Sequence, residues 1–286
     1  MPRPSNRSRR LGLRGVLVGA CALLGVVPAE AQQTIVNVPS DVLTPKGKHF
    51  LMHETQFLPR KSGREFGSTN FYTYGMSDRT ELAATIYNID NAGSPELALG
   101  LGFKSVYPVL RERLPEWKPK VTIGSLTPFS LQPQSQAVGF FTFGHVSFDI
   151  PRTDFRLLAG AAGGSRNLFG EDAASFLGGL EFPITDHLSF TGEWFSGNHN
   201  FGGLIPGFTY HRDNLILVAG YKVTNDGEPR NHGFVFEVGW FFGKSTSKRE
   251  PSPGEDEAHY GDRKPNPERR NALRALRGLP TRGAPR

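Results

Sequence analysis

Ten charged residues fall at alternating positions of segments that resemble β-strands, where they share a face with small and hydroxylated residues. A polar face opposed by an apolar one predicts charges that line the interior of a β-barrel. There they either tune the selectivity of a pore or close a narrow interior as ion pairs. The excess of Glu favours cations weakly. The ten residues are Glu54, Glu81, Glu96, Lys104, Lys120, Arg156, Glu181, Glu193, Lys222 and Glu237.

A second group of residues could carry out nucleophilic chemistry. The segment SGNHNFGG contains Ser196 and His199, and Glu171 or Asp172 of a neighbouring loop could orient the imidazole. A serine hydrolase needs this combination of nucleophile, base and orienting acid. No surrounding motif fixes the nucleophile, so hydrolysis is an alternative to the simpler interpretation of a Gly- and Asn-rich loop with one incidental His.

The sequence predicts no metal site and no cofactor. His49 and His53 share one face of a strand, but a rise of about 3.3 Å per residue separates them by about 13 Å. Two ligands of one metal ion cannot lie so far apart. The small residues at 160–164 are better explained as part of a barrel wall than as a phosphate-binding loop.

The elements that would position these residues are strands. From 48 to 242 the sequence alternates between apolar and polar residues in segments of about 9–11 residues, the length that a tilted strand needs to cross a membrane. We predict twelve strands, with ten as the alternative count. They lie near 48–58, 66–76, 81–89, 96–107, 118–126, 136–148, 155–164, 174–182, 188–196, 204–210, 214–224 and 232–242.

The breaks between these strands are of two kinds that alternate along the chain. Short breaks such as 183–187 and 211–214 contain Asp or Asn, which favour turns. Longer breaks such as 165–173 and 197–203 are rich in Gly, Asn and Ser. This asymmetry is typical of outer-membrane barrels, which have short periplasmic turns and long outer loops. The break at 108–117 must also be a periplasmic turn, although it is long.

The apolar set of each strand is expected to face lipid, with aromatic residues near the strand ends forming girdles at the membrane interfaces. A soluble sandwich, or a barrel whose apolar face points inward, is the competing fold. The predicted girdle residues are Tyr72, Tyr74, Trp117, Trp194, Trp240 and Phe242.

The N-terminus has the features of a secretory signal peptide. Five Arg precede an apolar run at 15–27, and Ala29-Glu30-Ala31 fits a cleavage site. This run is too short to span a membrane as an ordinary helix. A lipobox ending at Cys21 competes with this interpretation, although further apolar residues follow that Cys. Cleavage after Ala31 would leave a mature chain without Cys, and therefore without disulfides.

The net charge of +6 is unevenly distributed. Residues 1–31 contain five basic residues and one acidic residue, and residues 244–286 contain eleven basic and six acidic ones. The part between them has 17 basic and 20 acidic residues. The predicted barrel is thus mildly acidic, which argues against a nucleic-acid partner.

Two segments carry a resemblance to known proteins. EFPITDHLSFTGEWFSGNHNFGGLIPGFTYHRDNLILVAGYKV (181–223) and FYTYGMSDRTELAATIYN (71–88) resemble the hairpins of uncharacterised bacterial outer-membrane β-barrel proteins of the porin or channel type. The resemblance covers roughly residues 34–242 and implies a fold, but it supplies no site residues. The terminal aromatic residue usual in such barrels is internal here, at Phe242.

The sequence therefore predicts an all-β chain containing a closed antiparallel up-and-down transmembrane β-barrel and a disordered tail. Its parts are a signal peptide (1–31), an N-terminal periplasmic segment (32–47) too short for a helical plug, the barrel (48–243) and a charged periplasmic tail (244–286). The expected function is a narrow passive pore or small-solute transporter in the outer membrane. The alternatives are an outer-leaflet lipid hydrolase and a closed structural or adhesion barrel.

The expected partners are outer-membrane lipid and the barrel-assembly machinery. The tail could also bind the cell wall or a periplasmic protein through its basic residues. An even number of strands places both termini in the periplasm.

Overall fold

The structure is a computed structural model, and it describes residues 38–60, 65–87, 98–131, 139–153, 155–169, 173–199 and 201–243. Twelve antiparallel strands account for most of them. The strands are β1 (His49–Leu58), β2 (Glu65–Ser77), β3 (Thr80–Tyr87), β4 (Ala98–Pro108), β5 (Lys120–Ser130), β6 (Phe141–Asp149), β7 (Arg156–Gly164), β8 (Ala174–Pro183), β9 (Leu188–Phe195), β10 (Gly203–Arg212), β11 (Leu215–Lys222) and β12 (Gly233–Phe242). The predicted count of twelve is confirmed.

The sheet closes on itself, because every strand pairs with its sequence neighbours and β1 pairs with β12. In this closing seam His49 lies opposite Phe242 and Phe57 lies opposite Phe234. All twelve pairings are antiparallel, so the predicted up-and-down barrel is confirmed. Closure leaves no strand edge exposed to lipid, where unpaired backbone groups would be costly.

The connections between strands alternate in kind, as the sequence predicted. At one end of the barrel, called here the short-turn end, β10 and β11 are joined through 213–214 and β8 and β9 through 184–187. The long break at 109–119 lies at this end too. Val109 and Pro119 close it with a hydrogen bond from N–H to carbonyl of 2.9 Å. The opposite end, called the long-loop end, holds a short helix α1 (Arg166–Phe169) and a 3₁₀ helix (Pro229–Asn231).

Burial alternates along the strands because successive side chains point to opposite faces. β12 shows this most regularly: Val235 and Glu237 are buried, whereas Phe236 and Val238 are exposed. The exposed set is apolar around the barrel, so the competing fold with an inward apolar face is excluded. Its members include Leu51, Leu82, Leu101, Phe103, Ile123, Val146, Leu180, Leu217, Phe236 and Val238.

Aromatic residues border this apolar belt. At the short-turn end the rings of Tyr72, Tyr74 and Phe242 lie 5.9, 5.1 and 5.2 Å from the ring of His49. At the long-loop end Phe57 stacks on Phe66 at 4.6 Å. All six residues predicted for the girdles are exposed. A belt with such borders is the outer surface of a membrane-spanning barrel.

Several predictions concern residues outside the described ranges. These are the signal peptide at 1–31, the charged tail at 244–286 and Glu96 of the predicted interior. Within the described part of the chain, no helix is long and apolar enough to cross a membrane.

Candidate functional site

The barrel interior contains the charges predicted from the alternation. Nine of the ten predicted residues lie within described strands and on their inward faces. Glu81, Glu193 and Glu237 are at most 2 % exposed, and Glu54, Lys104 and Lys222 are also buried. Lys120 and Arg156 begin β5 and β7 at the short-turn end, and Glu181 lies opposite Arg156 in the pairing of β7 with β8.

A stretch of extended chain lies inside the barrel. Residues 38–48, called here the lumen segment, precede β1 and contact inward-facing side chains of six strands. The backbone N–H of Val38 donates to Oε2 of Glu193 at 2.8 Å, and that of Thr44 donates to Oε2 of Glu81 at 2.6 Å. Since Glu193 lies two residues before the long-loop end of β9, the lumen segment extends from near the long-loop end to the short-turn end.

Asp41 makes the strongest attachment of the lumen segment. Its Oδ2 accepts hydrogen bonds from Nζ of Lys120 and Oγ of Ser147, both at 2.9 Å, and its Oδ1 lies 3.2 Å from Nη1 of Arg156. Burial alone would raise the pKa of Asp41. The charges of Arg156 and Lys120 outweigh burial and hold this pKa well below its ordinary value, so the carboxylate stays ionised.

Two further contacts fix the part of the lumen segment that leads into β1. The hydroxyl groups of Thr44 and Thr73 are hydrogen-bonded, and the N–H of Gly47 donates to the carbonyl of Gly75 at 2.8 Å. A Cβ at Gly75 would collide with the carbonyl oxygen of Pro45. Glycine at this position therefore allows the lumen segment to lie directly against β2.

The residues that hold the lumen segment form one side of the interior, called here the anchoring wall. A salt bridge of 3.1 Å between Lys104 and Glu81 supports it, because it fixes the carboxylate that Thr44 binds. The wall residues are Thr73, Glu81, Lys120, Ser147, Arg156 and Glu193.

The opposite side of the interior, on β1 and β10–β12, is called here the apolar wall. It consists of Phe50, Met52, Ile205, Ile216, Val218, Val235 and Phe241, with Phe71 packed against it. Two carboxyl groups interrupt it, because Glu54 lies directly opposite Glu237 in the seam. Nε2 of Gln56 donates to Oε1 of Glu54 at 2.8 Å. Apart from Glu54, no described group hydrogen-bonds to the Glu237 carboxyl.

Near the long-loop end the interior is aromatic. Phe169 of α1 is fully buried and packs with Phe195 and with Val38, the first described residue of the lumen segment. Phe141 stacks on Phe169 at 5.8 Å, and Phe201 lies at the same distance from Phe169. The lumen segment therefore joins an apolar cluster at one end and an ionic cluster at the other.

His199 bonds a serine other than the one its sequence position suggested. Its Nε2 lies 2.6 Å from Oγ of Ser175, and its Nδ1 accepts the backbone N–H of Phe201 at 3.2 Å. A neutral imidazole whose Nδ1 accepts carries its proton on Nε2, which then donates to Ser175. A catalytic base needs the opposite arrangement, with Nε2 free to accept the serine proton.

Ser196 has a structural contact, because its Oγ accepts the backbone N–H of Phe176 at 2.8 Å. Glu171 and Asp172, the predicted orienting acids, lie outside the described residues. The geometry around His199 therefore does not favour the hydrolase alternative.

The two histidines of β1 lie on the outward face. Nδ1 of His49 is 2.7 Å from the hydroxyl of Tyr72, and Nδ1 of His53 is 3.0 Å from Oδ1 of Asn70. Over the described ranges, no group of three or more His, Cys, Asp or Glu is arranged to hold a metal ion.

Sequence reasoning missed Asp41 and Ser175. Asp41 lies in a stretch without strand alternation, and its partners Ser147 and Arg156 are more than 100 residues away in sequence. Ser175 could have been found, since the alternation in β8 places it on the inward face beside the loop that carries His199.

Three solved structures of outer-membrane proteins are similar to about two thirds of this chain or slightly more. A KdgM porin in complex with disordered oligogalacturonate is 7 % identical, with a TM-score of 0.46 over 69 % of this chain and 99 % of that one. The outer membrane channel DcaP of Acinetobacter baumannii is 14 % identical, with a TM-score of 0.27 over 68 % and 72 %. An outer membrane channel from Pseudomonas putida F1 is 10 % identical, with a TM-score of 0.35 over 70 % and 97 %.

No protein-family model and no curated protein matches the sequence. The closed sheet and its outward apolar belt define the chain as a transmembrane β-barrel.

Proposed function

We propose that the protein is a narrow passive pore for small solutes in the outer membrane, and that the lumen segment narrows it. The proposal rests chiefly on the polar interior. Four inward hydroxyl groups have no hydrogen-bond partner among the described protein atoms, which favours a hydrated lumen because buried polar groups need partners. These groups belong to Thr122, Ser189, Thr191 and Thr209.

A barrel serving only as a structural element would gain more from an apolar interior. Burying a charge costs several kcal/mol, and well-packed apolar residues often replace a buried ion pair without loss of stability. The interior instead contains buried Glu81, Lys104, Glu193 and Lys222. Retained polar and charged groups support a role in solute passage.

The test is conductance of the purified mature protein in planar bilayers, with uptake of small sugars and amino acids by proteoliposomes as a second measurement. We expect small discrete conductance steps and a weak preference for cations, which a reversal potential in a KCl gradient measures. The matched preparation lacks residues 38–44. Failure of both preparations to conduct would refute the pore and favour a closed barrel.

We further propose that the short-turn end faces the periplasm, so that the tail from residue 244 begins there. The even strand count and the short connections at this end support this orientation. Protease added to intact cells should leave a C-terminal epitope tag untouched and remove it after the outer membrane is permeabilised. Cleavage in intact cells would reverse the orientation.

A further inference from the structure

Three donors from three different strands converge on one carboxylate group at the short-turn end of the interior. Lys120 begins β5, Ser147 lies near the end of β6, and Arg156 begins β7. Lys120 lies opposite Ser147 in the strand pairing, and Asp41 supplies the carboxylate. Together Lys120, Ser147 and Arg156 are called here the carboxylate socket.

The three residues of the socket belong to strands of the barrel, whereas Asp41, which occupies the socket, belongs to the lumen segment. The hydrogen-bonded sheet fixes the backbone of the three donor residues, so their positions around the site do not depend on the lumen segment. Asp41 lies in irregular chain eight residues before β1 begins at His49. Withdrawal of the lumen segment would therefore leave the socket intact and able to bind another carboxylate.

Neighbouring charges limit what the socket can bind. Asp149 lies 3.3 Å from Nε of Arg156, and Glu181 lies opposite Arg156 in the sheet. The two cations of the socket are thus balanced by two fixed acids once Asp41 is removed. Such a site does not attract anions over a long range, and it suits one small carboxylate that can accept hydrogen bonds on both oxygens.

The socket is accessible from the short-turn end. The side chain of Lys120 is 28 % exposed even with Asp41 in place, whereas the Asp41 side chain is only 3 % exposed. A solute that enters from this end can thus reach the ammonium group before the lumen segment moves.

We propose that Lys120, Ser147 and Arg156 form a binding site for small carboxylate solutes that Asp41 fills as a built-in ligand, so that such solutes compete with Asp41 and release the lumen segment. The gating part of this proposal rests on the pore proposed above, whereas the binding part does not. Because a short tether gives Asp41 an effective concentration in the millimolar range or above, free carboxylates must reach at least similar concentrations to compete.

The binding part is tested by chemical rescue in full-length mature protein. Asp41→Ala removes a carboxylate group, and formate restores the missing atoms. We expect formate to raise the apparent Tm of Asp41→Ala by about 2–4 °C in a saturable manner at constant ionic strength, with little effect on the wild type. The first control is the double variant that carries both Asp41→Ala and Lys120→Gln, in which formate should no longer raise the Tm. The second control is Asp226→Ala, which removes an exposed carboxylate far from the socket.

An equal response of Asp41→Ala and Asp226→Ala to formate, or no response of either, would overturn the carboxylate site. Retention of the full rescue after Lys120→Gln would place formate elsewhere and would also overturn it.

The gating part is tested by single-channel recording. We expect the Asp41→Asn variant to be open about tenfold more often than the wild type, and replacement of chloride by formate on the short-turn side to open the wild type but not Asp41→Asn. Asp41→Glu, which keeps the charge, should remain close to the wild type. Channels that conduct but ignore both formate and Asp41→Asn would refute the gating, whereas absence of all conductance would refute the pore itself.

Discussion

Carboxylates on the two sides of the interior have opposite surroundings. On the anchoring wall, Glu81 binds Lys104 and the backbone of Thr44. In the seam, Glu54 and Glu237 face each other across the β1–β12 pair. Glu81 and Glu237 are equally buried, at 1 % and 2 % exposure. The same residue type at the same depth therefore fixes the lumen segment on one side and faces a second carboxyl group on the other.

This difference indicates which side of the interior controls the release of the lumen segment. The anchoring wall holds the lumen segment by directional bonds and ion pairs, whose partners lose their interactions when it leaves. The apolar wall offers a surface without strong directional bonds. We expect the lumen segment to be released by events on the anchoring wall, and substitutions on the apolar wall to leave it in place.

The largest effect is expected from removing the lumen segment itself. Deletion of residues 38–44 keeps the contact between Gly47 and β2 but removes the chain that crosses the interior. Conductance in planar bilayers should rise several-fold, because a chain no longer occupies the cross-section of a narrow pore. Deletion of residues 244–286 is the control for truncation. Equal conductance of the deletion variant and the wild type would show that the lumen segment does not narrow the pore.

Glu81→Leu should cause the next largest effect. The substitution deprives buried Lys104 of its carboxylate and the backbone N–H of Thr44 of its acceptor, and breaking a buried pair costs about 3–5 kcal/mol. Unfolding in guanidinium chloride, followed by tryptophan fluorescence in detergent micelles, measures the loss. A decrease of less than about 1 kcal/mol in the free energy of unfolding would mean that the anchoring wall holds the lumen segment less strongly than its contacts suggest.

Glu237→Leu is the matched substitution on the apolar wall, and its expected effect is small and of opposite sign. It removes one of two directly opposed carboxyl groups, a pairing that is destabilising by up to about 1 kcal/mol when both are charged. The same unfolding experiment should show unchanged or slightly higher stability. Destabilisation as large as that of Glu81→Leu would eliminate the contrast between the two walls.

The smallest effect is expected outside the barrel, at Asp226. Hydrogen bonds from Thr224, from the backbone of Glu228 and from Asn231 hold the pKa of Asp226 below its ordinary value. Because this pKa is lowered, the Asp226 carboxyl group is ionised and supports the loop at neutral pH. It is protonated, and loses this role, only at a pH below the ordinary pKa of an Asp side chain. The protection factors of the amides at 224–231, which correct for the pH dependence of intrinsic exchange, should therefore stay constant down to about pH 4, and a loss of protection above that pH would contradict this.

The sequence was sufficient to predict the barrel wall. Alternation placed Glu237 and Val238 on opposite faces of β12, and the same reasoning located Glu81 and Lys104 in the interior. It worked because a strand in a closed sheet has a period of two, whatever its distant partners are. It worked less well at strand ends: β5 continues to Ser130, where Phe129 pairs with Leu99, although a loop was expected from residue 127.

The lumen segment could not be predicted in the same way. The length of residues 32–47 argued only against a helical plug, but an extended chain reaches about twice as far per residue as a helix. Asp41 lacks any periodic signal, and its contacts depend on Lys120 and Arg156 being brought together by barrel closure. Contacts of this kind follow from the three-dimensional arrangement and not from local pattern.

The aromatic borders of β1 set the thickness of bilayer that the barrel fits. His49 and Phe57 lie eight residues apart, which is about 26 Å along the strand. A tilt of about 40° reduces this distance to about 20 Å along the membrane normal. A typical hydrocarbon core is about 30 Å thick, and bacterial outer membranes are thinner. Lipids with short acyl chains should therefore match the protein best, and long-chain lipids would have to thin around it.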